Sequence, residues 1–250
     1  MRNTHISLLF TLLLSAACQS EDKQGITAKN QEAVTQFPHL IYPEDIVRYS
    51  FDEENPTWLS TVFYQLNYLG KLSDTVTLEN GIRFSFDDTR IKTPMKYKKF
   101  YTDWLIKKVH FQNASDANVE ILVGKTPIAN SLPVLLRNND HDTIAIGHGE
   151  QVPMIMEALN EKNQWQPIQE TFIYMCGNGV GTIILPPGEI AITLAPLFKG
   201  NQKTRLRLVL GTNMSKPFWG YINPRQFTSM YNEHGNFNEE YRRENPQHGR

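Results

Sequence analysis

Thr204-Arg205-Leu206-Arg207-Leu208-Val209-Leu210 decides the fold class. Successive side chains of a β-strand point to opposite faces, so Leu206, Leu208 and Leu210 fall on one side and Arg205 and Arg207 on the other. One face is core and the other is wet. Outward from this strand, Gly200-Asn201-Gln202 makes the preceding reversal, and Pro186-Pro187-Gly188 separates two earlier apolar runs. Gly177-Asn178-Gly179 and Asn113-Ala114-Ser115-Asp116 are further turns of the kind that tolerate positive φ.

Short runs rich in β-branched and aromatic residues recur between such turns, and no stretch sustains a capped 3.6-residue apolar period. The expected strands are Val62–Leu69, Ile82–Phe86, Ile106–Phe111, Val119–Val123, Thr143–Ile146, Val152–Ala158, Thr171–Cys176, Thr182–Leu185, Ile190–Leu194, Thr204–Leu210 and Phe218–Ile222. A strand roughly every 10–14 residues points to an all-β chain. Residues 105–226 are read as an immunoglobulin-like β-sandwich. Residues 38–104, interrupted by Pro43, Pro56 and Pro94, are read as a smaller N-terminal β-rich lobe packed on it. No internal repeat or low-complexity segment is present.

The chain has 250 residues, 40% apolar and 20% charged, with 25 Lys and Arg, 26 Asp and Glu, and two Cys. This composition excludes a basic nucleic-acid-binding chain, a disordered acidic chain, a collagen-like repeat and a disulfide-dense scaffold. Arg2 precedes Ile6–Leu14, which is apolar apart from Ser7 and Thr11, and Ser15-Ala16-Ala17 leads into Cys18. A charged start, a short apolar stretch and small residues make an export signal over residues 1–17, too short for a permanent membrane helix.

With its cysteine directly after the small residues, this segment resembles the lipobox of bacterial lipoproteins. It departs from that pattern at Ser15, where leucine is usual. The resemblance implies cleavage before Cys18 and its acylation, and several acyl chains hold a protein stably where one does not. The polar run Gln19-Ser20-Glu21-Asp22-Lys23 looks like the surface-export signal of Bacteroidota-type lipoproteins; a plain solvated linker fits it equally. Removal of residues 1–17 deletes Arg2 and no acid, so acids then outnumber bases by two. Nothing in that balance steers the chain toward nucleic acid. Acylated Cys18 leaves Cys176 without a disulfide partner. Residues 18–37 are a polar tether, and 227–250, poor in aliphatics, are expected to be a disordered or loosely docked tail.

A second resemblance rests on Trp165-Gln166-Pro167-Ile168, Cys176-Gly177-Asn178, Leu185-Pro186-Pro187-Gly188-Glu189, Lys199-Gly200, Lys203–Arg207, Phe218–Asn223 and Gln226-Phe227. These look like a group of uncharacterised β-sandwich lipoproteins of Bacteroidota-type envelopes. The likeness covers about residues 105–227 and implies neither an activity nor catalytic residues.

Candidate chemistry is sparse. Cys176 has the thiol of a hydrolase nucleophile but no nucleophile context, and is read as a small core side chain at a strand end. His141, Asp142 and His148 do not match a zinc-ligand spacing and are read as loop polarity. The adjacent pairs Asp87-Asp88 and Glu53-Glu54 point to opposite faces if extended, so neither converges as an acid–base pair. Calcium-loop, nucleophile-elbow, Walker and dinucleotide motifs are missing, and no cofactor or metal is expected.

Arg90–Lys108 interleaves Lys92, Lys96, Lys98, Lys99, Lys107 and Lys108 with Tyr97, Phe100, Tyr101 and Trp104. The leading reading is a solvated face with lysines lying over core aromatics; an anionic glycan or lipid headgroup is its ligand if it has one. Flat aromatic rings also stack on the C–H faces of sugars. Trp165 is the tryptophan expected to be exposed, and Trp219 is expected in the core. The candidate ligand-binding residues are therefore Trp165, Trp104, Lys98 and Lys99. The function expected is that of a non-enzymatic binding or structural lipoprotein, held at the envelope, at the outer membrane, through lipid on Cys18 and contacting an envelope protein or glycan. A polysaccharide- or peptidoglycan-active hydrolase is the alternative.

Overall fold

A computed structural model describes residues 36–46, 56–84, 112–170 and 181–248, all within one compact unit, Gln36–Arg250. Sixteen strands, numbered in chain order, run through the described residues. The alternating stretch is β14 (Gln202–Leu210), with Thr204, Leu206, Leu208 and Leu210 buried and Arg205, Arg207 and Val209 half-buried. It is the hub of a five-stranded antiparallel sheet. β9 (Ile155–Leu159) pairs with one edge and carries β10 (Trp165–Pro167) beyond it; β15 (Asn213–Met214) and β16 (Phe218–Ile222) share the other edge.

A second antiparallel sheet has the order β3 (Leu66–Lys71), β13 (Glu189–Pro196), β7 (Ser131–Asn138), β6 (Val119–Val123). Its interior strand β13 is buried at every position from Ile190 to Pro196, which explains its unbroken apolar run in place of alternation. A third sheet joins β12 (Thr182–Leu185), β8 (Ile144–His148) and β5 (Gln112–Asn113). Two short parallel pairs complete the set: β1 (His39–Ile41) with β4 (Thr75–Thr77), and β2 (Ser60–Thr61) with β11 (Gln169–Glu170).

One apolar core joins the three larger sheets: Leu208 and Met156 from the first, Leu135 and Ile192 from the second, Ile144 and Ile184 from the third. The protein is an all-β sandwich. Buried amides tie the layers together. Asn138 donates to the carbonyls of Leu185 and Asp142 at 2.8 Å each and accepts from the Asp140 N–H. The Gln169 side-chain oxygen accepts from the Tyr64 hydroxyl and from the Met156 N–H.

The expected strands Val119–Val123, Thr182–Leu185 and Phe218–Ile222 match β6, β12 and β16 residue for residue. Ile82–Phe86 does not form a strand over its described part: Ile82 and Phe84 are buried in extended chain, donating to the carbonyls of Leu66 and Gly149. Expected strands Ile106–Phe111 and Thr171–Cys176 lie outside the described residues. The central strand β7 has no counterpart among the expectations, because Pro133 inside an apolar run argues against an interior strand. The Pro133 carbonyl accepts from the Gly124 N–H, just past the end of β6. Its ring nitrogen faces that same side, so the missing donor falls where the ladder stops, and the pairing with β13 is intact.

Strands of the stretch read as a separate lobe share sheets with strands beyond residue 105: β3 pairs with β13, and β2 with β11. The sheet boundaries therefore do not coincide with residue 104. In the stretch expected as a disordered or loosely docked tail, Asn238 caps helix α1 (Glu239–Glu244) through its side chain, and Tyr231, Phe237 and Tyr241 form a stack with centroids 5.0 and 4.9 Å apart. Tyr241 meets Trp58 edge-on at 5.7 Å, and Arg225 pairs with Glu240 and Glu244. Three aromatic rings supply the area that the missing aliphatics do not.

Candidate functional site

The outer face of the five-stranded sheet is assembled by strand alternation. If Leu206 and Leu208 point inward, Lys203, Arg205 and Arg207 point outward, and the pairing register sets their neighbours. Lys203 lies opposite Tyr221 and Arg205 opposite Trp219 on β16, while Arg207 lies opposite Glu157 on β9. Trp165 on β10 lies opposite Leu159. Trp165 and Trp219 thus stand on the two outermost strands, three strand spacings or about 14 Å apart. Trp219 is 60% exposed, and Tyr221, two residues along β16, is exposed on the same face.

Each tryptophan has a cation against it. The Arg207 guanidinium sits 4.5 Å from the Trp165 ring centre and bonds the Glu157 carboxylate through Nε and Nη2, both at 2.6 Å. The Arg205 guanidinium lies 5.1 Å from the Trp219 ring centre and Lys203 Nζ 5.5 Å from it. Arg205 also donates to the Pro217 carbonyl at 3.0 Å. These contacts steady the rings and leave aromatic surface open to solvent.

Trp219 is the wall between two clefts. One, about 450 Å³, is lined by Pro196, Phe198, Lys199, Gly220 and Tyr221 among others; the second, about 470 Å³, by Leu122, Lys125, Lys216 and Phe218. Both volumes fall in the range of small-ligand sites. Neither lining contains Asp or Glu. Close packing holds β16 in place: a Cβ on Gly220 would fall 2.3 Å from Leu206 Cδ1, and one on Gly200 would fall 1.8 Å from the Ile222 carbonyl carbon. A further cleft of about 480 Å³ runs between Phe37–Leu40 and Gly124–Ile128.

Of the residues singled out from sequence, Trp165 lies half-buried on this face. Trp219, expected in the core, is the most exposed large apolar side chain there, a correction. Its signal was legible: in Phe218-Trp219-Gly220-Tyr221-Ile222 the alternation buries Gly220 and Ile222 and turns Trp219 and Tyr221 out. Trp58 is buried. His141 and Asp142 precede β8 and His148 ends it, so the strand's length, at about 3.3 Å per residue, holds them apart. Among the described residues no group of three His, Cys, Asp or Glu is placed to hold a metal. Cys18, Cys176, Trp104, Lys98, Lys99 and the rest of Arg90–Lys108, with the pairs Asp87-Asp88 and Glu53-Glu54, lie outside the described residues. No described helix is long and apolar enough to cross a membrane.

No protein-family model matches the chain, and no curated protein matches it. Among solved structures, the archaellum periplasmic stator protein FlaG from Sulfolobus acidocaldarius is matched over 41% of this chain and 98% of its own, at 18% identity and a TM-score of 0.24. A likeness of that size carries no argument about fold or function.

Proposed function

We propose that the protein is a lipid-anchored, non-enzymatic binding module of the cell envelope, tethered through Cys18, whose five-stranded sheet holds a glycan on its outer face. The observation that carries this reading is the placement of Trp165, Trp219 and Tyr221 on one solvent-facing surface with Lys203, Arg205 and Arg207 between them. Rings fixed on rigid strands offer large contact area at little conformational cost, and sugar rings present the apolar C–H faces that stack on them. The lipobox-like segment supports the anchor, because an acylated N-terminal cysteine provides an attachment that the near-neutral chain does not obtain from charge.

Two measurements test the two halves. Labelling of cells with a palmitate analogue is expected to mark the wild type and not Cys18→Ala; equal labelling overturns the anchor. Binding of the purified protein to immobilised envelope polysaccharide is expected to fall at least about tenfold in Trp219→Ala, a loss of about 1.4 kcal/mol. Unchanged binding in Trp219→Ala, with an unchanged thermal midpoint, overturns this face as the site.

A further inference from the structure

Resting on the reading of the outer face as a glycan site, we infer that its ligand is an acidic polysaccharide, centred on Trp219 with its negative groups in the two flanking clefts. Stacking on Trp219 is indifferent to the charge of a sugar; the surroundings of Trp219 are not. Lys203 and Arg205 lie against the ring, Lys125 and Lys216 line one cleft and Lys199 the other. Two cations thus lie against one exposed ring, three lysines line the clefts beside it, and no carboxylate lines either cleft. The chain as a whole has 25 bases and 26 acids, so this local excess is not a consequence of composition.

The contrast along β14 sharpens the assignment. Arg207, which lies against Trp165, has its charge met by Glu157 at 2.6 Å. Two residues earlier Arg205 bonds only a neutral carbonyl, that of Pro217, and no ion pair reaches Arg205 or Lys203 among the described residues. The face is therefore neutralised at one tryptophan and positive at the other. A carboxylate or sulfate on a sugar ring stacked on Trp219 comes within reach of charge-assisted hydrogen bonds from Arg205 and Lys203. Neighbouring sugars on either side enter clefts that carry further lysines. A neutral glycan leaves the charge of Lys203 and Arg205 unused.

Polygalacturonate and its fully methyl-esterified form, the same backbone with its charge removed, separate the two levels of the reading. With the full-length protein in detergent, the acid is expected to bind at least about tenfold more tightly than the ester, equal to about 1.4 kcal/mol. That preference is expected to shrink between about 0.01 M and 1 M salt, where the screening length drops from about 30 Å to about 3 Å. The Lys203→Gln/Arg205→Gln variant is expected to lose the preference for acid, while Trp219→Ala loses both polymers and Trp219→Phe retains both. Equal, salt-insensitive binding of acid and ester overturns the acidic-ligand inference and leaves the glycan reading standing. Binding of neither polymer, nor of any neutral envelope glycan, overturns the glycan reading itself. Tighter binding of a single-stranded oligonucleotide than of polygalacturonate overturns both.

Discussion

Tyr64 shows how one residue can set a pH limit on the fold. Its ring is fully buried, its hydroxyl donates to Gln169, and burial pushes its pKa well above the ordinary tyrosine value of 10.0, the Gln169 bond opposing the shift only in part. Above that pH the unfolded chain releases the phenol proton while the folded chain retains it. The stabilisation is therefore present in full below 10.0 and is lost as pH rises beyond it. Tyr64→Phe is expected to cost about 1 kcal/mol at neutral pH, since Gln169 keeps its bond from the Met156 N–H. The same variant is expected to lose less stability than wild type on going above pH 10, measured as urea midpoints on either side of that value. A parallel decline in both proteins would show that Tyr64 is not the group responsible. Neither the burial of Tyr64 nor its partner, 105 positions away, is visible in its neighbours along the chain.

Strands are where local pattern was most and least informative. β14 and β16 alternate, and the period alone separates Leu206 and Leu208 from Arg205 and Arg207, and Gly220 from Trp219. β13 and β7 are buried on both faces, so alternation disappears, and Pro133 further disguises β7. The glycines that seat β16 make a graded prediction. Gly200→Ala places a Cβ against the Ile222 backbone, which has nowhere to turn, and is expected to cost about 3 kcal/mol. Gly220→Ala meets the end of the Leu206 side chain, which can rotate, and is expected to cost about 1 kcal/mol. Denaturant midpoints rank the two; the reverse order would mean that β16 is not held by backbone contact at Gly200.

At the scale of the molecule, the C-terminal stretch acts as a clasp over the N-terminal strands. Trp58 is only 3% exposed and is covered by Tyr241, while Leu59 donates to the Thr228 carbonyl. Deleting residues 230–250 is expected to uncover Trp58, lower stability by about 2 kcal/mol and shift tryptophan emission to longer wavelength, a shift absent in a Trp58→Phe background. Unchanged emission would mean that the clasp does not cover Trp58. By itself the sequence determined that the chain is all-β and that β14 has a wet face bearing Arg205 and Arg207, because these follow from a two-residue period and from turn chemistry between neighbours. Only the tertiary structure decided that Trp219 and Tyr221 share that face with Trp165, that β3 joins β13, and that lysine-lined clefts flank the ring of Trp219. Those facts depend on strand register and pairing order, which bring together residues far apart in the chain and leave no trace in local composition.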